Sequence, residues 1–277
     1  MTLECVVNVS EGRDSDTISL IATAAGPCLI DLHSDGFHNR SVCTLADVDH
    51  EALLAATLEL AGAALDLIDL RRHLGVHPRL GAVDVVPFVP VGDPPFELGE
   101  ALALRDAFAA RAASELGLPC FLYGPERSLP EVRRGAFTAL APDLGPRTPD
   151  PRHGACCVGA RPPLVAYNIV LAEADLALAR RVAAALRGPR LRTLAFAVGE
   201  EVQVSCNLVA PFELGPAEAV DACAAHAVVA RSELVGLVPA GVLAAVPRHR
   251  WAELDLDEAR TIESRLAHRP RAGSGPA

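Results

Sequence analysis

The sequence predicts an α+β protein built from two similar halves. Short apolar segments, bounded by Gly, Pro and polar residues, have the length and composition of buried strands. Ala/Leu-rich segments with helical spacing lie between them. The order strand, helix, strand, strand, helix, strand occurs over residues 3–91 and again over 163–238. This repeated βαββαβ order predicts two ferredoxin-like lobes, each with helices packed on a sheet in an α/β sandwich.

The first half is defined by apolar strands and two amphipathic helices. Its strands are predicted at 3–9, 28–33, 39–45 and 83–89, and its helices at 16–25 and 49–72. The polar segment 34–38, which contains Gly36, is predicted to be a turn between two strands. Pro87 and Pro90 are expected to cut the fourth strand short, because proline has no N–H for the sheet ladder.

A long connection separates the two halves. After a predicted helix at 97–116 and a strand at 120–123, residues 125–153 are rich in Pro, Gly and Arg. Such a stretch is either a functional loop or a plain inter-domain linker. The second half is predicted to have strands at 163–171, 191–197, 203–209 and 233–238, and helices at 174–186, 216–230 and 253–267. We therefore predict an N-terminal lobe at 1–150, a C-terminal lobe at 151–268 and a disordered tail at 269–277.

Composition indicates an ordinary soluble protein. Of 277 residues, 51% are hydrophobic and 22% are charged, which is typical of a globular chain. No apolar run approaches the ~20 residues of a membrane span, and no secretory signal precedes the first strand, so we expect a cytoplasmic protein. The net charge of −10 opposes nucleic-acid binding, which needs a basic face.

The eight cysteines are expected to be buried, reduced thiols. They are scattered through apolar segments and contain no C-x-x-C pair. Cys156 and Cys157 are adjacent, so a vicinal disulfide is one possibility. The favoured interpretation is that they are strand neighbours facing opposite sides of a sheet.

The segment from Gly75 to Arg79 combines a titratable side chain with a rigid frame. His77 can accept and return a proton near neutral pH. Pro78 restricts the backbone of His77, and Arg79 adds a forked cation suited to a carboxylate. A histidine before a strand is also compatible with a plain turn residue. Like Asp35, His77 lies where a strand meets a loop, and α/β scaffolds usually build sites there.

Several ordered segments carry a family resemblance. They include ECVVNVSEG at 4–12, DLHSD at 31–35, HNRS at 38–41, GVHPR at 75–79, LYG at 122–124, PDLGP at 142–146, GAR at 159–161, AYN at 166–168 and QVSCNL at 203–208. On these segments the sequence resembles the formiminotransferase domain of glutamate formiminotransferases, over about residues 3–245. Val7 and Cys206 depart from the residues usual in the family. We interpret both departures as substitutions that adjust the site without changing the family assignment.

The resemblance implies two lobes flanking a substrate tunnel, a homodimer, tetrahydrofolate as cosubstrate and His77 as catalytic acid/base. It also implies that Asp35, His38 and Asn39 line the tunnel. Asp143 and Gly145 would cap it, although their residue types alone are typical of an Asp-x-Gly-Pro turn. Because both substrates are anions, cations are needed at the site. The candidates are Arg40, Arg79, Arg161 and Arg134, and a solvated surface side chain is the alternative for each.

A metal site is the main competing interpretation of the second strand. Asp31, His33 and Asp35 alternate along it, and His38 follows the turn. Against a metal, Arg40 would place a cation beside it, and the resemblance supplies no metal chemistry. We therefore predict no metal and assign Asp31 a structural role.

Three functions remain open from the sequence. The favoured one is transfer of a formimino group from N-formimino-L-glutamate to N5 of tetrahydrofolate. The alternatives are an ATP-dependent 5-formyltetrahydrofolate cycloligase and a catalytically inactive folate-binding protein. The chain has no Walker-type phosphate loop, which counts against the cycloligase. Larger relatives continue into a cyclodeaminase domain that this chain is too short to hold, so ring closure would need a separate cyclodeaminase.

Overall fold

A computed structural model describes residues 1–76 and 78–269 of the chain. The described residues form two compact units. The first comprises Met1–Val91 and Pro95–Arg161, together with Arg269. The second comprises Gly92–Pro94 and Pro162–His268. Each unit mixes helices with its own sheet, which confirms the predicted α+β class.

The first unit is built on a six-stranded sheet. Its strands are β1 (Leu3–Val9), β2 (Leu29–Asp35), β3 (Arg40–Asp47), β4 (Val83–Pro90), β5 (Cys120–Tyr123) and β6 (Cys156–Ala160). Their spatial order is β2-β3-β1-β4-β6-β5. The first four strands pair antiparallel, whereas β6 pairs in parallel with both β4 and β5. The compact unit therefore includes β6, which follows the boundary predicted after residue 150.

Helices cover this sheet unequally. They are α1 (Ser15–Ala24), α2 (His50–Leu67), α3 (Gly99–Glu115) and α4 (Leu129–Gly135). The main core joins α1, α2 and α3 to one sheet face through large apolar side chains such as Ile21, Leu60 and Phe108. A smaller cluster, which includes Val132 of α4 and Phe121 of β5, lies on the other face. The helix α4 thus forms within the predicted long connection.

The second unit is built on a four-stranded antiparallel sheet. Its strands are β7 (Val165–Leu171), β8 (Leu191–Val198), β9 (Glu201–Leu208) and β10 (Val229–Val235), in the order β10-β7-β9-β8. Its helices are α5 (Leu176–Leu186), α6 (Pro216–Ala224), α7 (Ala240–Ala244) and α8 (Ile262–Ala267). Its core packs β7 and β9 against α5 and α6. The chain order β7-α5-β8-β9-α6-β10 matches the predicted βαββαβ order.

Several predicted boundaries were wrong for local reasons. The helix predicted to reach residue 72 ends at Leu67, because Ile68 is extended and Asp69 caps a short 3₁₀ turn. The helix predicted at 216–230 ends at Ala224, and Val229 already pairs in the sheet. The strand predicted at 83–89 is confirmed as β4, but Pro87 lies inside it and does not cut it short, since the ladder to β1 pairs on either side of Pro87.

The helix predicted at 253–267 was also wrong. Asp255 has a left-handed backbone, with φ of 51°, and this conformation interrupts a helix. Asp257 then caps a 3₁₀ turn at Glu258–Arg260, and Thr261 caps α8. The disordered tail predicted at 269–277 lies outside the described residues beyond Arg269.

Candidate active site

Four strand ends come together at one end of the six-stranded sheet. In the antiparallel ladders Val9 faces both Ser41 and Val83, and Asp35 faces Arg40. The carboxyl ends of β1 and β2 therefore lie beside the amino ends of β3 and β4. This arrangement brings together the loop after β1, the turn between β2 and β3, and the segment that precedes β4.

Asp35 organises the turn between β2 and β3. Its Oδ1 accepts hydrogen bonds from the backbone N–H groups of Phe37 (2.8 Å) and His38 (2.9 Å). Its Oδ2 lies 2.7 Å from Nδ1 of His38, whose ring is buried. Burial alone would raise the pKa of Asp35, but the hydrogen bonds from His38 and Phe37 outweigh it and hold the pKa well below its usual range. Asp35 is therefore ionised and fixes the orientation of His38.

Asn39 connects this turn to two other segments. Its φ of 50° lies in the left-handed region, which Asn adopts more readily than most residues. Its side-chain Oδ1 accepts from the N–H of Gly12 (2.9 Å), and its Nδ2 donates to the carbonyl oxygen of Leu74 (3.0 Å). A Cβ on Gly12 would lie 2.3 Å from the carbonyl oxygen of Asp35, so this close approach requires glycine.

His73 binds the turn through its ring. Nε2 donates to the carbonyl oxygen of Asn39 (2.8 Å), and Nη2 of Arg79 donates to the carbonyl oxygen of His73 (2.9 Å). Nδ1 is buried and has no hydrogen-bond partner among the described residues, so a proton there would be unpaired. Burial lowers the pKa of His73, and the Arg79 guanidinium adds to this effect. His73 is therefore held as a neutral donor.

Two backbone contacts continue along the same turn. A Cβ on Gly75 would lie 2.4 Å from the carbonyl oxygen of His38, so the two backbones touch. The N–H of Val76 donates to the carbonyl oxygen of Phe37 over a long 3.5 Å. The backbone that leads to His77 therefore runs along the turn that contains His38.

Charged side chains hold the backbone beyond His77. Nη1 of Arg133 donates to the carbonyl oxygen of Pro78 (3.1 Å). Oδ1 of Asp84 accepts the backbone N–H of Leu80 (2.6 Å). His77 itself lies outside the described residues, so its predicted role as acid/base stays a prediction.

Positive charge gathers at this end of the sheet. Arg40, Arg79 and Arg133 all lie within electrostatic reach of Asp84, which is 1% exposed. Burial lowers the pKa of Arg40 and Arg79, and Asp84 opposes this; guanidinium groups nevertheless stay charged at neutral pH. The three guanidinium groups give this region cations suited to an anionic ligand.

Sequence reasoning missed Asp84 and Arg133 and considered Arg134 instead. In the structure Arg134 is exposed, whereas Arg133 pairs with Asp84 at 2.5 Å. One signal was available in the sequence. Asp84 is a single carboxylate within an apolar strand, and such a buried charge needs a cationic partner.

The other predicted site residues lie elsewhere on the first unit. Arg161 follows β6, and its N–H donates to the carbonyl oxygen of Phe88, four residues (~13 Å) along β4 from Asp84. Asp143 accepts the N–H of Leu122 in β5 (2.8 Å) and pairs with Arg127. The structure thus places these residues apart from the turn that follows β2, and their predicted roles in substrate binding stay predictions.

Gly145 has a conformational reason for being glycine. Its φ is 84°, and a Cβ would lie 2.7 Å from the carbonyl oxygen of Leu118. The neighbouring Leu144 donates its N–H to the carbonyl oxygen of Cys120. These contacts attach the Asp-x-Gly-Pro segment to Leu118 and β5, and the predicted role of Gly145 in capping the tunnel stays a prediction.

The second unit carries a chain of polar side chains across its sheet. Nε2 of Gln203 donates to Oγ of Ser205 (2.9 Å), and this hydroxyl donates to Oδ1 of Asn168 (2.8 Å). Nδ2 of Asn168 donates to Glu233 (3.2 Å). The buried polar groups in these strands therefore satisfy one another.

The possible metal ligands do not assemble into a metal site in the described part of the chain. No group of three or more His, Cys, Asp or Glu residues is placed there to hold a metal ion. Asp35 and His38 bind each other instead.

None of the described helices has the length and apolar character needed to cross a membrane.

The thiols are poor candidates for nucleophiles. All eight cysteines are free and buried, as predicted. Burial raises the pKa of Cys28 and Cys223 to about 11, and that of Cys157 to about 12. Cys156 and Cys157 belong to core clusters on opposite faces of the first sheet, which confirms the favoured interpretation of this pair.

One known protein family matches the N-terminal part of the chain. Residues 2–161 match the family described as the formiminotransferase domain, N-terminal subdomain. The match covers more than half of the chain and includes every element at the sheet end described above. The chain belongs to the formiminotransferase family.

Curated members of the formiminotransferase family align with most of the chain. A glutamate formimidoyltransferase of Streptococcus pyogenes is 40% identical over 67% of this chain and 68% of its own length. One of Thermoplasma acidophilum is 34% identical over 95% of this chain and 97% of its own. A formimidoyltransferase-cyclodeaminase of Gallus gallus is 36% identical over 86% of this chain, which spans half the length of that relative. The family is therefore one of group-transfer enzymes.

Proposed function

We propose that this chain transfers the formimino group from N-formimino-L-glutamate to N5 of tetrahydrofolate, giving 5-formiminotetrahydrofolate and glutamate. The observation that carries the proposal is the end-to-end match with the Thermoplasma acidophilum glutamate formimidoyltransferase, over 95% of this chain and 97% of that relative. The charge and geometry around residues 73–80 support it.

The reaction needs one group that first accepts and then returns a proton. N5 of tetrahydrofolate attacks the formimino carbon, and N5 loses its proton as the new C–N bond forms. The bond from that carbon to the glutamate nitrogen then breaks, and this nitrogen gains a proton. We assign both transfers to His77, because imidazole titrates near neutral pH. Backbone contacts hold the described residues on either side of His77.

The local charge suits the substrates. Tetrahydrofolate and formimino-glutamate both carry carboxylates, and the whole chain has a net charge of −10. Around the buried Asp84, the positive charges of Arg40, Arg79 and Arg133 locally offset the negative net charge of the chain. We propose that Arg40 and Arg79 attract the substrate carboxylates. Arg161, Asp143 and Gly145 are proposed to contact the folate farther from the reacting atoms.

The assembly and setting are proposed from the family resemblance. We propose a homodimer that acts in the cytoplasm on small molecules in histidine degradation and one-carbon metabolism. We propose that a cyclodeaminase then processes the product, since the Gallus gallus relative is named for both activities. Light scattering of the purified protein tests the homodimer directly.

A direct assay tests the reaction. The purified protein is incubated with tetrahydrofolate and N-formimino-glutamate, or with 5-formyltetrahydrofolate and ATP, and the products are followed by absorbance and mass. We expect glutamate release that depends on both substrates in the first reaction. An ATP-dependent 5,10-methenyl product would instead identify the cycloligase. Folate binding without either product would identify an inactive folate-binding protein and overturn the proposal.

His77→Ala tests the assigned acid/base. We expect turnover to fall at least ~100-fold while tetrahydrofolate still binds, because loss of a placed proton-transfer group typically costs ~10²–10⁴ in rate. His249→Ala is the matched control, since His249 is exposed on the second unit. Turnover near the wild-type value in His77→Ala would refute the assignment.

A further inference from the structure

Asp84 and Arg133 form a largely buried ion pair beside the segment that follows His77. Nη2 of Arg133 lies 2.5 Å from Oδ2 of Asp84. The side chain of Asp84 is 1% exposed, and that of Arg133 is 22% exposed. Burial alone would lower the pKa of Arg133, but the Asp84 carboxylate more than offsets this. Arg133 is therefore charged, and a buried ion pair of this kind is strongly destabilised when one partner is removed.

Each partner also holds one backbone group of the same short segment. Arg133 donates from its second terminal nitrogen to the carbonyl oxygen of Pro78 (3.1 Å), and Asp84 accepts the N–H of Leu80 (2.6 Å). The pair thus spans the two residues on either side of Arg79. Hydrogen bonds to charged groups are stronger than neutral ones, so this is a firm attachment.

The attachment points belong to rigid elements. Asp84 lies in β4, whose eight residues are all buried. Arg133 lies in α4, which begins with a capping box formed by Ser128 and Glu131. Val132, next to Arg133, is buried in the core cluster on this face of the sheet. The pair therefore ties the segment to a strand and a helix rather than to another loop.

We propose that Asp84 and Arg133 are positioning residues for the reaction, acting through the backbone of Pro78 and Leu80. The inference rests on the proposed function, in which His77 transfers the protons. Proton transfer needs donor and acceptor within hydrogen-bond reach, so a small displacement of this backbone lowers the rate. An apolar pair of the same volume would fill the space but would leave both backbone groups without these partners.

Arg133→Lys is the main test. A lysine ammonium keeps the charge, but it cannot reproduce the planar fork that reaches both Asp84 and Pro78. We expect kcat to fall at least ~10-fold, with KM changed less than ~3-fold. Arg111→Lys is the matched control, because Arg111 makes an exposed ion pair with Glu115, and its kcat should stay within ~2-fold of wild type.

Asp84→Asn supplies a readout that does not depend on activity. The amide keeps the size of the side chain but removes the charge that strengthens the bond to Leu80. We expect the Leu80 amide hydrogen to exchange at least ~10-fold faster, with little change for amides of α3. If Asp84→Asn does not fold, the same exchange measurement is made on Arg133→Lys.

The outcomes separate the two proposals. Wild-type protein without formimino transfer would overturn the proposed function, whereas Leu80 exchange would still report on the attachment. Unchanged Leu80 exchange, or kcat of Arg133→Lys within ~2-fold of wild type, would overturn the positioning role. A purely structural role would lower the thermal midpoint and the folded fraction but leave kcat per folate-binding site unchanged, which would also overturn it.

Discussion

His73 and Asn39 join the segment before His77 to the turn after β2. The ring of His73 donates to the carbonyl oxygen of Asn39, and the side chain of Asn39 donates back to the carbonyl oxygen of Leu74. These reciprocal bonds involve side chains 34 and 35 residues away in sequence from their partners. His73 contributes as a neutral hydrogen-bond donor, and a second proton, at the buried Nδ1, would have no partner among the described residues.

His73→Gln is predicted to flatten the pH dependence of stability. The folded-state pKa of His73 is lowered, so the unfolded chain, with a histidine pKa of ~6.5, binds a proton more readily. The free energy of unfolding of the wild type should therefore decrease as the pH falls through ~6.5 toward the lower folded-state pKa of His73. Glutamine retains an N–H donor without titrating. Urea unfolding at pH 5–8 measures the effect.

The control for this prediction is His249→Gln. His249 is exposed, so its replacement should leave the wild-type pH dependence unchanged. Parallel stability curves for His73→Gln and the wild type would contradict the argument, because they would mean that His73 is equally easy to protonate in both states.

At the level of elements, close backbone contacts fit the loops to one another. Oε1 of Glu11 accepts the N–H groups of Gly12, Arg13 and Asp14, which fixes the loop after β1. Gly12 contacts the backbone of Asp35 and Arg40 at the turn between β2 and β3. Gly75 contacts the backbone of His38 in the same turn. Where two loops contact each other through backbone atoms, no flexible side chain can move aside to make room for an added Cβ.

Gly75→Ala is predicted to lower both activity and stability. The new Cβ would meet the carbonyl oxygen of His38 at 2.4 Å, and backbone cannot move aside as a side-chain end can. Overpacking of this kind costs ~1–3 kcal/mol. We expect a lower thermal midpoint and a fall in kcat of at least ~10-fold. Calorimetry and steady-state kinetics provide the two measurements.

Gly99→Ala is the matched control for this change. A Cβ there would meet nothing within 4 Å, and the position begins helix α3. Alanine favours helix over glycine by up to ~1 kcal/mol, so this variant should be as stable as the wild type or more so. Equal behaviour of the two variants would show that the contact between residue 75 and the turn is loose.

At the level of the whole molecule, the chain keeps its reactive sulfur away from solvent. The cysteines lie in both units, for example Cys43 in the first and Cys206 in the second, and burial raises the pKa of each to about 12. A buried, protonated thiol is a poor nucleophile and is slow to oxidise. The fold is therefore held by packing rather than by disulfides.

Thiol labelling is predicted to distinguish the native from the unfolded chain. In native buffer at pH 7.5, a maleimide or an aromatic disulfide reagent should label none of the eight cysteines rapidly. In denaturant all eight should react, and a reductant should not increase that number. Rapid labelling of the native protein would show that part of the core opens, and fewer than eight sites in denaturant would reveal a disulfide.

The sequence by itself determined the order of the elements in the two βαββαβ segments, but not α4 or β6 between them. Strands such as Leu3–Val9 and Cys120–Tyr123 begin and end where the apolar pattern predicts, because strand length and turn residues are local signals. The sequence also identified the family, because each of the motifs at 4–12 and 75–79 is a continuous segment that can be recognised without a structure. The α+β class followed from this order.

Only the tertiary structure decided how distant residues meet. Cys156–Ala160 extends the first sheet by pairing in parallel with β4, which no local pattern reports. Asp84 and Arg133 are 49 residues apart in sequence, and their pairing depends on α4 covering one face of the sheet. The same is true of His73 and Asn39. Sequence patterns report local preference and burial, whereas a site built from four strand ends depends on sheet register, which long-range packing fixes.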